Sequence, residues 1–178
     1  MIIGLMGYAQ SGKDTVAGIL CSDYGYTRIA FADKIREVLY EVNPMVGCSP
    51  TGYLQDLVNL VGWDEAKQEA QVRRLLQDLG VGARKVFGDM FWVQQALKDV
   101  HFEGKFVITD VRFPNEAKAI KKYDNALLWR IERLGVEAVN DHVSEIALKD
   151  YHSDHTIINQ GTIDDLRLII QTRMREYL

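Results

Sequence analysis

One heptapeptide near the N-terminus constrains this chain more than any other segment: Gly7-Tyr8-Ala9-Gln10-Ser11-Gly12-Lys13, with the spacing Gly-x-x-x-x-Gly-Lys. An apolar run, Ile2–Met6, precedes it and reads as a buried strand. Residues 13–23 follow and read as a helix, with Val16, Ile19 and Leu20 at helical spacing and Gly25 as its stop. Strand, glycine turn and helix in that order make a cradle for a polyphosphate. The glycines let the backbone curl until several N–H groups converge on one anion. The helix offers its positive end, and Lys13 reaches the outer phosphates. Gly7, Gln10, Ser11, Gly12 and Lys13 are therefore candidate phosphate-binding residues.

Position 14 departs from the usual pattern, which has Ser or Thr after the lysine. Here it is Asp14, and Thr15 comes one residue later. A carboxylate is a hard oxygen ligand, so Asp14 is a candidate for Mg2+, directly or through water, with Thr15 facing the nucleotide's inner phosphate. The plainer role for Asp14 is to complement the helix dipole. A second carboxylate, Asp110, ends the run Phe106-Val107-Ile108-Thr109-Asp110, a place suited to holding Mg2+ against phosphates. The plainer alternative is a helix-capping Asp before Pro114.

Phosphoryl transfer asks a protein mainly for positioning and for neutralisation of charge on the moving oxygens, which makes arginines the diagnostic residues. Arg112 lies two residues beyond Asp110, where its planar guanidinium is able to bridge donor and acceptor phosphates. Arg130 and Arg133 flank the end of an apolar stretch at 126–131, just before a polar segment. That segment reads as a lid, about 133–145, carrying a cation over the nucleotide. Surface salt bridging is the alternative for each arginine.

Between the second and third strands the chain is helical for too long to be a simple crossover. Residues 51–101 read as helix throughout, broken near Gly62 and again at Gly80 to Gly82. We expect a helical acceptor-binding insert at about 33–101. Within it Arg74, Gln77 and Arg84 suit an acceptor phosphate and Trp92 a nucleobase, although aromatics at helical spacing are more often core. Asp33 and Lys34, just past the second strand, either contact the acceptor or cap a helix. His142, His152 and His155 fit no metal-ligand motif.

At 178 residues the chain is expected to form a single domain. Strands at Ile2–Met6, 27–32, 105–109, 126–131 and 155–158 alternate with helices. The helices include one ending before Pro44, one opening at Pro114 and one over 163–177 capped by Thr162. This alternation gives an α/β fold, a parallel sheet with helices on both faces and ligands at the carboxyl ends of its strands. A net charge of −4 argues against a nucleic-acid partner. The N-terminal run is too short and too uncharged for a signal peptide or membrane span. Cys21 and Cys48 make no disulfide framework, so a reducing cytoplasm is expected, the host's for a phage-encoded chain.

Taken together these motifs resemble the phage-type deoxynucleoside monophosphate kinases of the P-loop superfamily. The carrying segments are Gly12-Lys13-Asp14-Thr15, Phe31-Ala32-Asp33-Lys34, Arg74-x-x-Gln77-x-x-Gly80 and Arg84 through Gly88 to Trp92. Asp110-Val-Arg-Phe-Pro-Asn-Glu-Ala117, His142-x-Ser144-Glu145 and Ile158-Asn159-x-Gly161-Thr162 complete the match. The resemblance implies a three-layer P-loop, nucleoside monophosphate kinase-like fold with a five-stranded sheet in the order 2-3-1-4-5. It also implies ATP and Mg2+ dependence, phosphorylation of a deoxynucleoside monophosphate, and a nucleotide-binding insert with a lid. It adds Glu145 to the acceptor residues. Asn159 and Gly161 resemble the adenine-side loop of dephospho-CoA kinases, and the Gly-Lys-Asp loop with its Asp-x-Arg strand end is similar to animal phosphomevalonate kinases. Both relatives phosphorylate a small acceptor, so these remain alternative activities. A non-catalytic nucleotide-binding protein is a further one. A GTPase switch is disfavoured, because no Asp-x-x-Gly occurs in the chain. Base preference and oligomeric state, a homodimer included, stay open.

Overall fold

The computed structural model describes residues 1–101, 103–136 and 147–177. Five parallel strands carry the fold: β1 (Ile2–Met6), β2 (Thr27–Ile29), β3 (Phe106–Ile108), β4 (Ala126–Glu132) and β5 (His155–Ile158), in the spatial order β2-β3-β1-β4-β5. That is the order expected. β1 lies at the centre, pairing Gly4 with Ile108 on one side and with Leu128 on the other. All five of its residues are buried, as a strand covered on both faces must be.

Alternation along β1 assigns the two faces. Ile3 and Leu5 join a core with Val16, Ile19 and Leu20 of helix α1 (Lys13–Tyr24) and with Leu166, Ile170 and Met174 of helix α7 (Ile163–Met174). Gly4 points the other way, under helix α6 (Pro114–Ile120). A Cβ on Gly4 would stand 2.9 Å from Ile120 Cδ1 and 2.9 Å from Leu128 Cδ2, so only a glycine lets α6 approach this closely. Each large aliphatic side chain buried here contributes about 1.5–3 kcal/mol. α1 stops at Gly25, whose N–H returns to Cys21 and Leu20 carbonyls. α7 begins with Thr162 and Asp165 bonded reciprocally, as expected of a Thr cap.

Asp154 ties β5 to β4 at the opposite end of the sheet from the glycine loop. Its carboxylate accepts from the Leu128 N–H at 2.7 Å and from Lys121 Nζ at 3.0 and 3.1 Å. Burial alone would raise its pKa, but these bonds and the Lys121 charge hold it below the ordinary carboxylate value.

The chain divides into two compact units. One comprises Met1–Ala30 and Leu97–Leu178, and the other is Phe31–Ala96. The second unit is helical: α2 (Phe31–Val42), α3 (Leu54–Ala66), α4 (Ala70–Phe87) and most of α5 (Phe91–Leu97). Its core gathers Leu39, Val46, Leu54, Leu57, Ala66 and Val72.

Two expectations are corrected here. β2 ends at Ile29 instead of running to residue 32, because β3 offers it only three partners and buried Phe31 already opens α2. α3 does kink at Gly62, with φ 77° and ψ 166°, but α4 runs unbroken through Gly80 and Gly82. Gly80 is there for packing. A Cβ on it would lie 3.3 Å from Ile35 Cδ1 of α2, and its carbonyl accepts the Trp92 indole N–H at 3.0 Å. Among the described residues, no helix is long and apolar enough to cross a membrane.

Candidate functional site

The glycine loop begins where β1 ends. Gly7 has φ 138°, and a Cβ on it would collide with the Ile131 carbonyl oxygen of β4, so the residue is required by both its dihedral and its neighbour. Ser11 N–H closes a turn on the Tyr8 carbonyl at 3.3 Å, with Gln10 at a left-handed φ of 63°. Gly12 caps α1, again at positive φ, 102°. Lys13 sits in the first turn with its ammonium donating to the Gly7 carbonyl at 2.8 Å and the Tyr8 carbonyl at 2.6 Å. Ser11 Oγ is buried and has no hydrogen-bond partner among the described residues. An unmet buried hydroxyl in a glycine turn at a helix N-terminus is a group that a bound anion would satisfy. Asp14 and Thr15, in the same turn, are both exposed.

The neighbouring strands end beside this loop. After β3 come buried Thr109, half-buried Asp110 and exposed Arg112. The turn that carries Arg112 is pinned by Glu116, which is 3% exposed. Its carboxylate accepts the Arg112 N–H at 2.7 Å and the Phe113 N–H at 3.0 Å. Sequence reasoning assigned Glu116 no role. Its position, three residues after the helix-entry residue Phe113, is the signal that would have found it. β4 contributes Arg130, whose Nη2 donates to the Leu148 carbonyl at 2.8 Å and the Tyr151 carbonyl at 2.7 Å. Arg130 thus braces the segment before β5. β5 delivers Asn159, whose N–H donates to the Glu132 carbonyl at 2.7 Å and whose Nδ2 donates to the Ser11 carbonyl at 2.9 Å. At Gly161 a Cβ would press against the Asp165 carboxylate that caps α7, so this glycine serves the helix start.

These strand ends enclose a cavity of about 500 Å3. Gly7, Tyr8 and Ser11 form one wall, and Ile131, Leu134, Leu148 and Ile158 form apolar ones. Arg112, Arg130, Arg133 and Lys149 line it against two carboxylates, Glu132 and Asp150, so among the described residues the lining carries a net positive charge. Five of the expected residues, Gly7, Ser11, Arg112, Arg130 and Arg133, meet in this one hollow. Glu145, His142 and most of the expected lid lie outside the described residues. Among the described residues, no three His, Cys, Asp or Glu side chains gather as a metal site.

In the helical unit, Asp33 and Lys34 occupy the first turn of α2 and pair along it. Asp33 meets Arg36 at 3.3 Å, and Lys34 meets Glu37 at 2.8 Å. Arg74 is exposed on α4 and pairs with Asp78 at 3.4 Å, with Gln77 exposed beside it. Arg84 is half-buried near the end of α4. Trp92 is 2% exposed with its indole nitrogen committed to Gly80, so in this structure it packs the unit and presents no face to a base. A second hollow, about 390 Å3, lies along α2 between Asp33, Arg36, Glu37, Tyr40 and Glu41, with Trp63 of α3 at its side.

Comparison with known proteins agrees with this geometry. The deoxynucleotide monophosphate kinase family model matches residues 53–170. A protein of Acanthamoeba polyphaga mimivirus, assigned as a deoxynucleotide monophosphate kinase, is 30% identical over 189 residues, covering 93% of this chain and 91% of its own. The deoxynucleotide monophosphate kinase of Escherichia phage RB69 is 29% identical over 110 residues, covering 58% of this chain and 45% of its own. Among solved structures, TT1252 from Thermus thermophilus aligns over 100% of this chain and 98% of its own at 19% identity. Its TM-score of 0.46 is too low to carry the comparison into the site. A glycine loop on β1, arginines gathered at the strand ends and a family match across two thirds of the sequence have one common meaning: the chain belongs to the deoxynucleotide monophosphate kinase family.

Proposed function

We propose that the chain moves the γ-phosphoryl group of ATP onto the phosphate of a deoxynucleoside monophosphate by in-line displacement. An oxygen of the acceptor phosphate bonds to the γ-phosphorus as the bond to the β–γ bridging oxygen breaks, releasing ADP and a deoxynucleoside diphosphate. The observation that carries this reading is the cationic cavity beside the glycine loop, with Ser11 Oγ buried and unmet in its wall.

In this reading the loop amides of Gly7, Gln10, Ser11 and Gly12 hold the triphosphate, and Lys13 turns from the Gly7 and Tyr8 carbonyls to the outer phosphates. Thr15 lies toward the inner phosphate. Arg112 and Arg133 neutralise charge that spreads over the transferring oxygens, where stabilisation is worth most. Arg130 shapes the nucleotide cavity. Ile158 and Gln160 line it on the β5 side, and their chain neighbours Asn159 and Gly161 are assigned to the adenine side of the nucleotide. Asp14 and Asp110 are the assigned oxygen donors for Mg2+, an ion that usually keeps several of its waters and takes one or two protein carboxylates. When bound, Mg2+ withdraws charge from phosphate oxygens. The acceptor is assigned to the helical unit and lid, with Arg84, Arg74, Gln77, Lys34, Asp33 and Glu145 as its contacts.

The test is transfer of label from γ-labelled ATP to a panel of deoxynucleoside monophosphates, dephospho-CoA and phosphomevalonate. Label is expected in a deoxynucleoside diphosphate. Label only in one of the other acceptors would overturn the proposal.

A further inference from the structure

From β5 at the edge of the sheet, the Asn159 side chain reaches across to the glycine loop. Its backbone is anchored to the end of β4 through the Glu132 carbonyl, and its side-chain amide donates to the Ser11 carbonyl at 2.9 Å. The fit is close. A Cβ on Gly12 would collide with Asn159 Nδ2, so the amide rests directly against the loop backbone. A trans peptide is planar, and its C=O and N–H point in opposite directions. Drawing the Ser11 oxygen toward Asn159 therefore turns the Gly12 N–H to the other side of the same plane.

We propose that Asn159 is a positioning residue for phosphate binding. By holding the Ser11–Gly12 peptide it aims the Gly12 N–H at the triphosphate, and it does not read the adenine base. The inference deepens the kinase reading and rests on it for the identity of the ligand. It is tested by binding alone, so an error in the acceptor leaves the test intact.

Asn159→Asp keeps the shape but replaces the donor with an acceptor facing the Ser11 carbonyl. Titration calorimetry would compare wild type and variant with ATP, GTP and inorganic tripolyphosphate, each with Mg2+. Affinity should fall by about tenfold for all three alike, since an unmade bond to a buried group acts on the loop and not on the base. The wild-type-to-variant ratio for tripolyphosphate should narrow as the pH is lowered from 8 to 5, because protonation of the introduced carboxyl restores a donor. Asn159→Ala should show the same common loss with no such narrowing. A loss confined to ATP, with tripolyphosphate binding unchanged in both variants, would overturn the proposal and return Asn159 to base recognition. A wild-type protein that binds all three ligands but phosphorylates no deoxynucleoside monophosphate would reject the acceptor assignment alone.

Discussion

Replacing Glu116 with Ala removes the single carboxylate that serves two backbone donors at the entrance to α6. Hydrogen bonds to a charged group contribute about 1.5–3 kcal/mol each, and deleting a helix cap costs about 0.5–2 kcal/mol. The two bonds, at 2.7 and 3.0 Å, share one oxygen on a side chain 3% exposed, so they are not fully additive. We expect a loss of about 3 kcal/mol. For a chain of this size each kcal/mol lowers the melting temperature by roughly 2–4 °C, which gives a fall of about 6–12 °C in scanning calorimetry. Glu116→Gln keeps an acceptor oxygen and loses only the charge assistance, so it should fall by about half as much. Turnover should drop further than stability explains, by about tenfold at temperatures where the variant is folded. The turn that Glu116 pins carries Arg112, the proposed transfer-site arginine, and small misplacements of a catalytic group are expensive. An Ala variant melting within about 2 °C of wild type, with unchanged turnover, would refute the assignment of Glu116 as the brace of this turn.

Lys13→Ala and Arg112→Ala should each reduce kcat by about a hundredfold or more while the melting temperature stays nearly constant, as steady-state kinetics and calorimetry would show. Arg84→Ala should raise KM for the acceptor more than KM for ATP, and the opposite pattern would move Arg84 to the donor side. Gly7→Ala places a methyl against the Ile131 carbonyl at a φ of 138°, so ATP affinity measured by calorimetry should fall at least about tenfold. Asp154→Asn should cost about 1 kcal/mol at pH 7 in urea unfolding. The folded pKa of Asp154 lies below its unfolded value. Its stabilisation is therefore complete above the ordinary carboxylate range and lost as the pH falls through the lowered pKa, where the two proteins should converge.

The parts of this fold written in local periodicity were legible in the sequence. Ile2–Met6, the glycine turn and Val16, Ile19 and Leu20 are neighbours along the chain, so spacing alone announced the central strand and first helix. Gly80 and Gly82 misled because a glycine marks a break only when its dihedrals need one. Here α4 keeps helical geometry and Gly80 answers to Ile35, a residue 45 positions earlier. Trp92 carried the same ambiguity, resolved by the Gly80 carbonyl it meets. At the site, Arg112 and Arg133 stood out as candidates because their chemistry is explicit in their type, and both line the cavity. Glu116, the bracing role of Arg130 and the reach of Asn159 to Ser11 were not, since each depends on backbone groups that only the folded sheet brings near.

The two carbonyls that hold the Lys13 ammonium make anion capture an exchange and not a simple gain. Each is a charge-assisted bond, at about 1.5–3 kcal/mol, that a visitor must better before the cation swings over. In the proposed kinase reading, a chain of linked phosphates would meet that demand by offering several oxygen atoms to the ammonium and the loop together.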